Sequence, residues 1–400
     1  MLIRKRTGQE VEFSKYKIRK AINSANEHAS PINKITENEL DSITNKIYSD
    51  YLNTNIIGSV EHIQDNIENE LMSRGHYALA KDYITYRYQH SEDRKYNDLL
   101  SEAKSIVNAN SAEVEGDNAN KPYQLVQCRR DYLAGLVCKK LSDELFSEEC
   151  NEAHKEGIIH IHDRDYSSLP MHNCCLIDLD DMLQNGTVIG NTFIASPRSF
   201  RTACTVASQI VCASSFSQYG GMSITLSHLA PFIDISRKNI IETYSDLKES
   251  LNNEKFNEFV EKTLRKEIKD GVQTLQYQFI TLSNASQSPF ITVFMYLNEV
   301  DDSAVQLKKD LEMLIEEVLQ QRYKGVQCDD GTFVSPIFPK LIYVLSENNI
   351  TKDSKYYYLT ELAAKCTSKR LCPDYVSEKV MKEIRGACFT SMGKRKLQLM

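Results

Sequence analysis

Met171-His-Asn-Cys-Cys-Leu176 sets two thiols beside polar neighbours. A thiol that gives up a hydrogen atom or electrons needs partial access and a positioned neighbour, whereas a cysteine that only fills space is a small buried hydrophobe. The residues leave both readings open. Just upstream, His160-x-His162-Asp163 closes the apolar run Gly157-Ile-Ile-His-Ile-His162. As a strand this run would aim both imidazoles at one side, since residues two apart share a face. That is the arrangement of a metal-dependent hydrolase barrel, whose later strands must supply further histidines. The nine histidines stop at His228, and residues 229–400 contain none. Hydrogen bonding at a strand end is the simpler expectation for the pair. Ser217-Gln-Tyr-Gly-Gly221 follows an amide and a phenol with two glycines, over which backbone can approach a ligand closely.

The first twenty residues hold seven cations (Arg4, Lys5, Arg6, Lys15, Lys17, Arg19 and Lys20) against Glu10 and Glu12. Several of them can converge on a phosphate chain, or they can form a solvated face. No GxxxxGK[ST] loop is present, which excludes a P-loop. Over the whole chain 48 basic residues face 55 acidic ones, a net charge of −7 that excludes a strongly basic nucleic-acid coat. The eleven cysteines include no CxxC pair, so no ribbon-type zinc site is encoded. The longest apolar run, Phe290 to Leu297, is far short of the ~20 residues that span a bilayer. The N-terminus has no apolar signal segment, and a cytoplasmic protein is expected.

These residues need elements to hold them. Residues 1–92 read as one small domain: a hairpin over Leu2 to Phe13, then four helices. Ser14 and Ser59 are candidate caps, Thr36-x-x-Glu39 is a capping box, and Gly75 is a helix stop. Residues 93–121 read as a helical connection ending in the polar stretch Asn108 to Lys121. From 122 to 400, helical patterns (Leu125 to Phe146, Asn151 to Glu156, Ser303 to Tyr323) alternate with strand candidates at 157–162, Pro289 to Tyr296 and Leu341 to Leu345. The alternation predicts the α/β class.

Taken in order, these motifs resemble the anaerobic (class III) ribonucleoside-triphosphate reductases. Ile3-Arg-Lys-Arg-Thr-Gly8 with Phe13, Lys17-Ile18 and Val60-Glu-His-Ile-Gln-Asp65 is similar to the ATP-cone, the regulatory nucleotide domain of reductases. Asp117-Asn-Ala-Asn-Lys121, Tyr132-Leu-Ala-Gly135, the 154–163 histidine motif, Asn173-Cys174, Ser196-Pro197, Gln218-Tyr-Gly-Gly221, Gln273-Thr-Leu275, Pro289-Phe290 and Phe338-Pro-Lys340 follow in the family's order. The resemblance implies ATP or dATP as allosteric effector, held by Ile3, Lys5, Arg6, Lys17 and Gln64. It implies a ten-stranded α/β glycyl-radical barrel, of which this chain carries roughly the first half. It also implies a homodimer, a ribonucleoside triphosphate substrate contacted by His160, Asn173, Gln218, Gly220 and Gly221, formate as reductant and a radical-SAM activating enzyme. Cys174 takes the part of the hydrogen-donating cysteine, inside the barrel, with Cys175 pointing away.

The resemblance breaks at Ser391-Met-Gly-Lys394. Lys394 stands where the family carries its thiyl-radical cysteine in Met-Gly-Cys-Arg. The family's glycyl-radical segment and zinc cysteines are not encoded in these 400 residues. The expectation is an N-terminal portion, from a frameshifted, split or truncated reading frame, that is inactive alone. A non-catalytic nucleotide-binding or dimerising derivative of the same scaffold is the alternative.

Overall fold

The computed structural model describes residues 2–4, 10–53, 59–111, 123–169, 174–217, 220–282, 289–390 and 396–397. It divides into two compact units, Met1–Lys104 and Ser105–Met400.

The first unit begins with an antiparallel hairpin, β1 (Leu2–Arg4) and β2 (Glu10–Glu12), with Ile3 opposite Val11. Four helices follow: α1 (Lys15–His28), α2 (Glu37–Leu52), α3 (Val60–Ser73) and α4 (Tyr77–Val107). Helical spacing puts Ile18, Ile22, Leu40, Ile43, Ile47, Ile63, Ile67 and Leu71 into one core with Phe13 and Tyr83. Local signals set the helix ends. The Thr36 side chain accepts from the Glu39 amide while Glu39 accepts from the Thr36 amide. Ser59 caps α3 by accepting from the His62 amide at 3.2 Å. Ser14 precedes α1 without such a bond. Gly75, at φ 81°, stops α3. Arg87 of α4 then ties down α3, donating to Glu61 and Asp65 at 2.7 Å and to Glu68 at 2.8 Å. The helix over the expected connection is continuous with the domain's fourth helix and runs to Val107.

The second unit is α/β. Its main sheet has six strands in the order β11-β10-β7-β6-β3-β12, every neighbouring pair parallel. The strands are β3 (Cys175–Ile177), β6 (Met222–Thr225), β7 (Ile291–Met295), β10 (Lys340–Leu345), β11 (Asp374–Ser377) and β12 (Lys396–Leu397). Two small antiparallel hairpins lie outside it: β4 (Thr187–Ile189) with β5 (Thr192–Ile194), and β8 (Val326–Gln327) with β9 (Phe333–Val334). Every residue of β6 and β7 is buried, as expected for parallel strands covered on both faces.

One face of the sheet carries Cys175, Ile177, Met222, Ile224, Ile291, Val293, Met295, Leu341 and Tyr343. Helices Phe200–Ser214, Pro231–Thr243, Asn253–Thr281, Val305–Lys324 and Tyr357–Arg370 cover it. Gly271 lets two of them touch: a Cβ there would lie 2.6 Å from the Phe200 ring. The opposite face carries Phe294, Tyr296, Ile342 and Val344, packed against Val376 and Cys388.

The strand expected at 157–162 is absent. Helix Glu148–Lys155 ends there: Gly157 takes φ 77°, and the amides of Ile158 and Ile159 both return to the carbonyl of Ala153. The apolar run is a helix stop rather than a strand, and Ile158 stays 72% exposed. Turns continue to residue 168.

Candidate functional site

Cys174 enters β3 from its N-terminal side. The Cys175 amide donates to the Gly221 carbonyl at 3.1 Å, and Cys175 pairs with Met222 across the parallel ladder. Cys175 is 2% exposed and belongs to the helix-side core. Alternation therefore puts Cys174, which is half-buried, with Leu176 on the opposite face. Gly221 is buried and Gly220 half-buried beside it. Three of the expected site residues, Cys174, Gly220 and Gly221, thus meet at the N-terminal edge of β3 and β6. Asn173 and Gln218 lie outside the described residues.

The polar groups of this face come from the neighbouring strands. Ser223 and Thr292 are 1% exposed and pair across β6 and β7. Thr390 closes over them, donating to Ser223 Oγ at 3.1 Å. At the C-terminal ends of the strands, Glu378 accepts from the Tyr296 hydroxyl at 2.7 Å, from Asn298 at 3.0 Å and from Lys382 at 2.6 Å. Burial opposes the Glu378 charge, but bonds led by the one from Lys382, with Tyr296 and Asn298 adding to it, hold its carboxyl down at about 2. Burial and the Glu378 carboxylate push the Tyr296 phenol the other way, well above its usual range. Thr225 and Ser227 both donate to Glu299. Sequence reading missed these two carboxylates because Glu299 and Glu378 sit in ordinary charged patterns, and partners such as Ser227 and Tyr296 lie 72 and 82 positions away.

His160 stands among histidines, its ring centroid 5.5 Å from His154 and 6.0 Å from His162. Without a strand, the shared face that suggested a hydrolase disappears. Among the described residues no group of three or more His, Cys, Asp or Glu side chains is placed to hold a metal ion. No described helix is long and apolar enough to cross a membrane.

In the first unit Ile3 is buried against the helices, Lys17 is exposed on α1 and Gln64 is half-buried on α3. Lys5 and Arg6 lie outside the described residues. The basic excess of the sequence shrinks on folding: Arg19 is engaged by Glu37 and by Asp41, the latter at 2.7 Å.

A family model described as anaerobic ribonucleoside-triphosphate reductase matches residues 117–398, and the ATP cone domain matches residues 1–92. The chain belongs to the anaerobic ribonucleoside-triphosphate reductase family. Its similarity to the reductase of Escherichia coli K12 is 32% identity over 98% of this chain and 54% of that protein. The reductase of enterobacteria phage T4 is 32% identical over 72% of this chain and 46% of the phage protein. The chain thus spans about half the length of the curated reductases it matches. A solved structure of the Thermotoga maritima anaerobic ribonucleotide reductase with glycerol in the active site aligns over 72% of this chain and 46% of that one, at 16% identity and a TM-score of 0.47. The reductase family is one of oxidoreductases, and its ATP-cone stands here ahead of the sheet that carries Cys174.

Proposed function

We propose that this chain is the regulatory and substrate-entry portion of an anaerobic ribonucleoside-triphosphate reductase. The observation that carries the reading is the β3–β6 pairing, which sends Cys175 into the helix-side core and leaves Cys174 on the other face beside Gly220 and Gly221. In this reading that face is the inner wall of a half-barrel. Cys174 supplies a hydrogen atom to the ribose, and the two glycines let the nucleotide approach the backbone. Asn173 and Gln218 orient the substrate, and His160 assists from the turn that precedes them. Residues 1–92 form the domain that takes ATP or dATP as effector, with Ile3 shaping the floor, Lys5, Arg6 and Lys17 meeting phosphate, and Gln64 reaching the nucleotide. Formate as reductant, a radical-SAM activating enzyme and a homodimer complete the reading.

The same reading makes the chain by itself inactive. Lys394, which lies outside the described residues, stands in the sequence where the family carries its thiyl-radical cysteine, and an ammonium is too strongly hydrated to suit radical chemistry that needs dry surroundings. That residue favours the second reading, a nucleotide-binding derivative, for any role this chain has alone. The test is anaerobic incubation of the chain with a ribonucleoside triphosphate, formate and a competent activating enzyme. No deoxynucleotide above the protein-free background is expected. Deoxynucleotide formation would overturn the assignment of Lys394.

A further inference from the structure

Helices Asn253–Thr281 and Val305–Lys324, with the β8–β9 hairpin, enclose a cleft of about 320 Å³ in the second unit. These helices cover the sheet face opposite to that of Cys174, so the cleft is separate from the site described above. Gln276 lines it and is only 8% exposed, while Val272, Leu275 and Phe279 of the same helix are buried and apolar. The Gln276 Nε2 is shut off from solvent, yet it finds no hydrogen-bond acceptor among the described residues. A buried donor without an acceptor is costly, and an apolar side chain would fill the same space without that cost.

The other lining groups say what kind of acceptor the cleft awaits. Lys269 and Lys324 both line it and are exposed. Lys324 holds its Nζ 5.7 Å from the centroid of the Phe333 ring, which forms part of the wall. Glu317 is the one acid among the described lining residues, and it is already engaged. Gln321 Nε2 donates to its carboxylate at 2.7 Å and to the Lys269 carbonyl at 2.8 Å, tying the two helices together. Two ammonium groups and an unpaired amide donor thus face a single carboxylate that has its own partner. The rings of Tyr277 and Phe333 add apolar wall beside them.

We propose that this cleft binds a small organic oxyanion, a phosphate monoester or a carboxylate. Its charged head pairs with Lys269 and Lys324 and accepts from Gln276 Nε2, and its apolar body lies against Tyr277 and Phe333. The volume is at the lower end for small-molecule sites, which limits that body to about one ring.

The test treats the folded chain, free of nucleotide, with sulfo-N-hydroxysuccinimidyl acetate and reads lysine acetylation by peptide mass spectrometry. Phenyl phosphate and benzoate are the probes, and they separate a phosphate head from a carboxylate one. At a probe concentration ten times its Kd about nine-tenths of the sites are filled, so acetylation of Lys269 and Lys324 should slow about tenfold. Lys262, exposed on the same helix but outside the cleft, should keep its rate. Lys324→Gln, an exposed change, should weaken probe affinity read at Lys269 by about tenfold. Gln276→Leu removes the unpaired donor, so it should raise the urea midpoint while abolishing the protection. A glutamine that served only to hold the helices together would lower the midpoint when replaced. The proposal is overturned by a lowered midpoint, by undiminished protection in Gln276→Leu, or by the absence of protection by either probe in the folded wild type.

Discussion

The amide of Cys175 and the carbonyl of Gly221, 3.1 Å apart, fix which of two adjacent thiols faces the core. A slip of one residue would exchange Cys174 and Cys175, because side chains alternate across a strand. Labelling follows from this relationship. Under native conditions iodoacetamide should modify half-buried Cys174 while Cys175 and the fully buried Cys204 stay protected. Peptide mass spectrometry reads the result, and equal labelling of Cys174 and Cys175 would refute the register.

Close packing of two helices rests on Gly271. A methyl group there meets the Phe200 ring at 2.6 and 2.8 Å, and Phe200 itself is fully buried. Gly271→Ala should lower the stability of the second unit by about 1–3 kcal/mol, the usual cost of overpacking. Chemical denaturation measures it. An unchanged midpoint would mean that the Phe200 ring can shift freely.

Glu378 makes stability depend on pH in one direction. Its folded carboxyl is held near 2 against an ordinary value of 4.5, so the folded state gains from ionisation above about pH 4.5. That gain disappears as pH falls from 4.5 toward 2. Glu378→Gln should therefore destabilise by about 1–3 kcal/mol at pH 7, with the difference from wild type shrinking in acid. Urea unfolding at pH 7, 5 and 3 checks this, and a penalty independent of pH would contradict it.

Two cations on α1 should behave differently toward nucleotide. Lys17 is exposed, whereas Arg19 is engaged by Glu37 and Asp41. In the proposed effector site Lys17→Ala weakens ATP binding about 10- to 100-fold, the worth of one charge-assisted contact. Arg19→Ala should change it by no more than about twofold. Titration of both variants decides, and a larger loss in Arg19→Ala would reverse the assignment.

The first unit was legible because its signals are local. Thr36 with Glu39, Ser59 and Gly75 each act within a few residues, and apolar spacing names the buried faces of the first three helices. Strands β7 and β10 were legible as apolar runs, since parallel strands bury both faces. The 157–162 run misled for the same reason. Alternating isoleucine and histidine resembles a strand, but the positive φ of Gly157 spends Ile158 and Ile159 on ending a helix. Contacts across the sheet, such as Thr390 with Ser223 or Tyr296 with Glu378, join residues 82 to 167 positions apart and leave no local trace.

Calorimetric titration of the whole chain with ATP and with dATP, under anaerobic conditions, tests the central claim most directly. A regulatory cone ahead of the Cys174 sheet predicts saturable binding of both nucleotides, with no requirement for the substrate, formate or the activating enzyme. Absence of binding by either nucleotide, in a chain shown by circular dichroism to be folded, would contradict it.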